Sequence, residues 1–89
     1  MTRRNDLNIC ADILQVARSG AKKTQIVYKA NLNFKIVNGY LRRLVGGGLL
    51  QFSNDQGYVT TKKGIQFLER YEVLIPPILE REFMEETMP

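Results

Sequence analysis

Between Asp6 and Arg18 the apolar residues Leu7, Ile9, Cys10, Ile13, Leu14, Val16 and Ala17 recur at three- and four-residue intervals, the period of a helix with one buried face. Asn5 or Asp6 is placed to cap its start, and Gly20 is a natural stop. A second, short helix is expected from Gln25 to about Ala30, capped by Thr24, with Ile26, Val27 and Ala30 turned inward. Asn31-Leu32-Asn33 breaks it, and Asn33 is a good N-cap for a third helix from Phe34 to about Val45. Its inward stripe is expected to be Phe34, Val37, Leu41 and Leu44. Lys35, Asn38, Gly39, Arg42 and Arg43 lie on or beside the opposite face. Two helices separated by so short a turn form a helix-turn-helix.

Gly46-Gly47-Gly48 ends the third helix, because glycine tolerates the left-handed backbone of a C-terminal cap. A phosphate-cradling loop would need a following lysine and hydroxyl, which this sequence lacks there. Leu49 to Ser53 and Tyr58 to Thr61 read as two short strands joined by the turn-forming cluster Asn54-Asp55-Gln56-Gly57, a hairpin or wing. A fourth helix is expected from Thr61 or Lys62 to about Leu74, with Ile65, Phe67, Leu68, Tyr71 and Leu74 apolar. Pro76-Pro77 must end or bend it. With Pro77 at the first turn of a resumed helix, Ile78, Leu79, Phe83 and Met84 form a second apolar strip. The fold class expected is mainly α with a small β-hairpin: a winged helix-turn-helix domain over residues 1–74, then a proline-interrupted C-terminal dimerisation extension over 75–89.

Composition narrows the function classes. With 89 residues the chain suits one compact core. A hydrophobic content of 44% with 25% charged residues is that of a folding globular chain rather than a disordered one. No apolar run approaches the roughly 18 residues that span a bilayer, so a soluble, cytoplasmic, nucleoid-associated protein without membrane contact is expected. The single cysteine, Cys10, has no disulfide partner, and without histidine a structural metal site is not expected. Cys10 falls on the apolar side of its helix, as a buried, inert thiol does.

The net charge of +4 is unevenly spread. Residues 1–63 carry eleven lysines and arginines against three aspartates, whereas residues 64–89 carry two arginines against six glutamates. A basic body with an acidic tail suits a chain that meets a polyanion with one face. The outer face of the third helix holds no acid. Lys35 or Arg42 there suits guanine O6 and N7, and Asn38 suits adenine N6 and N7. Lys22, Lys23, Lys29, Arg43, Lys62 and Lys63 suit phosphates, and Arg3 and Arg4 suit a mobile arm. Gly39 permits either close approach of DNA or close packing of a neighbouring helix. Tyr28 and Tyr40 have hydroxyls for phosphate, but at helical spacing such aromatics more often belong to a core. The wing tip carries Asp55 and no cation, so it is poorly equipped to grip phosphate alone.

The run Lys23-Thr24-Gln25-Ile26-Val27-Tyr28-Lys29-Ala30-Asn31-Leu32-Asn33-Phe34, followed by Tyr40-Leu41, Leu44 and Gly48-Leu49-Leu50, resembles a family of small archaeal winged-helix regulators and DNA-binding proteins. Tyr58-Val59-Thr60-Thr61-Lys62-Lys63-Gly64-Ile65-Gln66-Phe67-Leu68 is similar to that family's second wing strand running into its last helix. The resemblance covers about residues 6–74. It implies a recognition helix beginning at Phe34, with Lys35, Asn38, Arg42 and Arg43 facing the major groove, and dimerisation through an antiparallel coiled coil of the C-terminal helix. Pro76-Pro77 departs from that pattern, which points to a bent dimer segment rather than a long straight one.

The reading is therefore sequence-specific or architectural binding of double-stranded DNA, as a homodimeric transcriptional regulator. Leu74, Ile75, Ile78, Leu79 and Phe83 are the expected dimer interface, because they exceed what one short helix can hide. The rival is a winged-helix protein-interaction module without nucleic-acid contact, since fold alone does not settle function. An enzyme is not expected: there is no nucleophile beside a base, the carboxylates collect on the tail, and no cofactor or small-molecule substrate is implied.

Overall fold

The computed structural model describes residues 5–74, with side chains as far as Tyr71. Its elements in order are α1 (Asp6–Val16), α2 (Lys23–Lys29), α3 (Phe34–Gly46), β1 (Leu50–Ser53), β2 (Gly57–Thr60) and α4 (Lys62–Leu74). This is a winged helix-turn-helix. The Pro76-Pro77 bend and the extension over 75–89 lie outside the described residues.

Each boundary has a local cause. Asn5 caps α1 by accepting a 2.8 Å bond from the Asn8 N–H, and Asn8 Oδ1 in turn accepts one from the Asn5 N–H at 3.2 Å. α2 begins at Lys23, ahead of the expected Thr24 cap. Gln25 Oε1 reaches back to the Lys22 N–H at 2.9 Å, so the capping group comes from inside the helix. Asn33 caps α3 as its position predicts, its Oδ1 accepting from the Ile36 N–H at 2.9 Å.

The turn between α2 and α3 is made by Asn31, whose φ of 54° is left-handed. The Leu32 N–H bonds back to the Val27 carbonyl at 2.9 Å, closing a Schellman cap. The end of α3 repeats the device with glycine. Gly48 has φ 79°, and the Leu49 and Gly48 N–H groups bond to the Leu44 and Val45 carbonyls.

β1 and β2 are antiparallel, with Leu50 opposite Thr60 and Phe52 opposite Tyr58. The sheet gains a third, one-residue member from the α1–α2 connection. Ala21 exchanges two backbone bonds with Tyr58, at 2.9 and 2.8 Å. Gly57 makes this possible, since a Cβ there would lie 2.6 Å from the Ala21 carbonyl oxygen. The wing is thus braced against the body rather than free.

The core is Ile9, Ala11, Ile13, Leu14 and Ala17 of the α1 region, Ile26, Val27 and Ala30 around α2, Val37, Tyr40, Leu41 and Leu44 of α3, with Ala21, Leu50 and Leu68. Thr60 is buried among them and donates from Oγ1 to the Leu14 carbonyl at 2.6 Å, so its polar atom is satisfied. Two residues expected inside are exposed. Leu7 sits in the first turn of α1 and Phe34 is the first residue of α3, one turn before the core-facing Val37; they are 40% and 48% accessible. Tyr40 fills the α3 stripe in place of Phe34.

Candidate nucleic-acid interface

Four buried residues of α3 fix its rotation, so its outward line is set by the helical period. Lys35, Gly39, Arg42 and Gly46 succeed one another at intervals of four, three and four along that line, with Asn38 beside it. Lys35, Asn38 and Arg42 are exposed, and no acid occurs anywhere in the helix. A Cβ built on Gly39 or on Gly46 meets nothing within 4 Å. Packing among the described residues therefore gives no reason for glycine at either place. The face is a basic ridge with two notches, open to a large partner.

Arg42 and Arg43 are sequence neighbours with separate surroundings. Arg43 lies on the opposite flank from Asn38, with its guanidinium 5.0 Å from the centre of the Tyr40 ring. The Tyr40 ring is buried while its hydroxyl, at a partly exposed rim, donates to Asp6 Oδ1 at 2.5 Å and ties α3 to the start of α1. That bond is the main reason the Tyr40 phenol is held above its ordinary range. Cys10, half-buried nearby, has its thiol pushed up by burial, with the Arg43 charge opposing, as suits an unreactive sulfur.

On the other flank α3 and the wing enclose an open hollow of about 330 Å³, lined by Asn38, Leu41, Arg42, Val45, Phe52 and Tyr58. Phe52 is 57% exposed and meets Tyr58 edge-on at 5.2 Å, while Val45 is 40% exposed. Leu50 and Phe52 share a strand face. Leu50 ends in the core, and Phe52 continues past its edge to overhang α3. The sequence reading missed this hollow, because Phe52 and Val45 are ordinary apolar positions until the hairpin is folded over the helix.

The other expected phosphate contacts are dispersed. Lys22, Lys29 and Lys62 are exposed, and Lys23 is half-buried. Lys22 passes the wing turn, its Cα within 3.1 Å of where a Gly57 Cβ would stand, so a cation borders the cation-free wing tip. Lys63 has a task within the fold, its Nζ donating at 2.9 Å to the Gly47 carbonyl at the end of α3. Tyr28 faces away from Ile26, Val27 and Ala30 and is 79% exposed, so the preference for placing both tyrosines in the core holds for Tyr40 alone. Of the expected dimer residues, Leu74 ends α4, and Ile75, Ile78, Leu79 and Phe83 lie outside the described residues.

Among the described residues there is no cluster able to hold a metal and no helix long and apolar enough to cross a membrane. Comparison with curated proteins finds no match. Among solved structures the chain is similar to the crystal structure of Sso10a-2, a DNA-binding protein from Sulfolobus solfataricus. The two share 28% identity at a TM-score of 0.72, over 94% of this chain and 90% of that one. The sequence also matches the winged helix-turn-helix family over residues 3–76, in agreement with the observed helices and hairpin. The chain belongs to the winged helix-turn-helix family.

Proposed function

We propose that this chain binds double-stranded DNA with α3 in the major groove, as a homodimer joined through the segment after α4, acting as a transcriptional regulator or an architectural DNA-binding protein. The observation that carries the reading is the outer line of α3, where Lys35 and Arg42 alternate with Gly39 and Gly46 and, among the described residues, no other element stands against either glycine. A groove-bound helix needs such a face: positive, free of acids, and low enough for its backbone to approach bases. The structural likeness to an archaeal DNA-binding protein supports the same partner.

In this reading Lys35 or Arg42 pairs with guanine and Asn38 with adenine. Lys22, Lys23, Lys29 and Lys62 meet phosphates, with Arg43 and Lys63 secondary because each already has a contact inside the fold. If Lys22, Lys23, Lys29 and Lys62 each neutralise one phosphate, log affinity falls against log salt with a slope of roughly −3 to −4 per chain.

The test is a salt series of binding to a random-sequence duplex and to the promoter of the protein's own gene. Equal affinities with a steep slope identify an architectural protein, and a large gap identifies a regulator. Absence of binding to both duplexes at low salt overturns the proposal.

A further inference from the structure

The hollow between α3 and the wing has a composition that phosphate contact does not explain. Its lining joins apolar Leu41, Val45, Phe52 and Tyr58 to the polar Asn38 and Arg42 of α3. Val45 and Phe52 leave large apolar areas in water, 40% and 57% accessible, on the flank of the helix assigned to the groove. Exposed apolar surface beside base-reading polar groups has a specific counterpart on DNA. The major groove presents one apolar group, the C5-methyl of thymine, and it stands in the same base pair as the adenine edge that suits an asparagine.

We propose that this hollow reads thymine methyls, so that Asn38, Val45 and Phe52 together select A·T pairs within the bound site. The inference rests on the DNA-binding reading above and deepens it. DNA is the occupant that fits this lining, because Arg42 and the acid-free α3 match a polyanion, while Val45 and Phe52 match its methyl-bearing edge. Arg43, stacked on Tyr40 across the helix, takes no part.

The experiment titrates the full chain, by fluorescence anisotropy at one fixed salt concentration, against an alternating A·T duplex and against the same duplex with every thymine replaced by deoxyuridine. The substitution removes only the C5-methyl and leaves hydrogen-bonding edges and phosphates in place. One buried methyl group corresponds to about fourfold in affinity, from about 0.8 kcal/mol per buried carbon, so the thymine duplex should bind at least about fourfold more tightly. The double variant V45A/F52A should bring that ratio toward one.

Equal affinity of the parent chain for the two duplexes overturns the proposal and leaves DNA binding intact. A thymine preference that persists unchanged in V45A/F52A also overturns it, since the methyl is then read elsewhere. Failure to bind either duplex overturns the DNA-binding reading itself and this proposal with it.

Discussion

Replacing Gly39 with alanine separates the needs of the fold from those of the interface. Gly39 lies in the middle of α3, and a Cβ built there meets nothing within 4 Å from the other described elements. With no clash to offset the gain, the variant should recover the helix propensity that glycine forfeits, about 1 kcal/mol. For a domain of this size that raises the melting temperature by roughly 4–8 °C. Binding should move the other way. If the α3 backbone rests against DNA at this notch, the added methyl acts as an overpacked group, costing about 1–3 kcal/mol, a roughly 5- to 150-fold loss of affinity. Thermal unfolding followed by circular dichroism reads the first effect, and anisotropy titration at fixed salt reads the second. A variant that is more stable and binds as well as the parent would refute close approach at Gly39. One that is less stable would refute the open outer face itself.

Other perturbations probe the remaining parts. Arg42→Ala should weaken DNA binding with little change in melting temperature. Arg43→Ala should lose less affinity but about 0.5–1 kcal/mol of stability, because its guanidinium stacks on Tyr40; equal behaviour of the two variants would contradict the split. Gly64→Ala should destabilise by at least about 1–3 kcal/mol, since its methyl would strike the Leu49 carbonyl oxygen and lie 2.6 Å from Thr60 Cγ2; an unchanged denaturation midpoint would count against this packing. Because the Asp6 bond raises the folded-state pKa of Tyr40, its stabilisation is complete below the ordinary value near 10 and fades as the pH rises through the raised one. Tyr40→Phe should therefore flatten the alkaline part of the stability profile, and a profile identical to the parent's would deny that contribution. Truncation after Leu74 should turn a dimer into a monomer in analytical ultracentrifugation, and a truncated chain that remains dimeric would put the interface elsewhere.

Much of the fold was legible because its signals are periodic or stereochemically strict. The α1 spacing, the Asn33 cap and the glycine stop after α3 each leave few alternatives, and the hairpin is marked by its turn residues. What escaped the sequence depends on contacts that have no local signature. Ala21 serves as a one-residue strand, too short for any alternation to reveal. The rotation of α3 was read with Phe34 inside, whereas Tyr40 occupies that stripe and finds its hydroxyl partner at Asp6, distant in sequence. Tyr28 could have been placed correctly, since its position opposite Ile26, Val27 and Ala30 on a helical projection already turns it outward. The basic residues of α3 were recognisable by type, but their separate surroundings were not. Arg42 and Arg43 differ by one helical step, and that step sends one to the hollow and the other to Tyr40.

The same bonds that escaped the sequence determine how the interface is presented. The wing is tied to the α1 end by Thr60, through its N–H to the Ala17 carbonyl at 2.9 Å and its hydroxyl to the Leu14 carbonyl, and to the α1–α2 connection by the Ala21–Tyr58 pair. The end of α3 is tied to the start of α4 by Thr61 Oγ1, which donates to the Gly48 carbonyl at 2.5 Å, and by Lys63 on Gly47. Thr61 follows Thr60 directly, so the two sets of ties meet in one short stretch. Both walls of the hollow, α3 and the hairpin, are consequently fixed to one frame before any partner arrives. Binding then requires little ordering of the protein, whose entropic cost would otherwise reduce affinity. If the chain binds DNA as proposed, Lys63 should contribute chiefly by holding the end of α3 to the start of α4. Its loss should displace Arg42 and Phe52 relative to one another rather than merely subtract one charge.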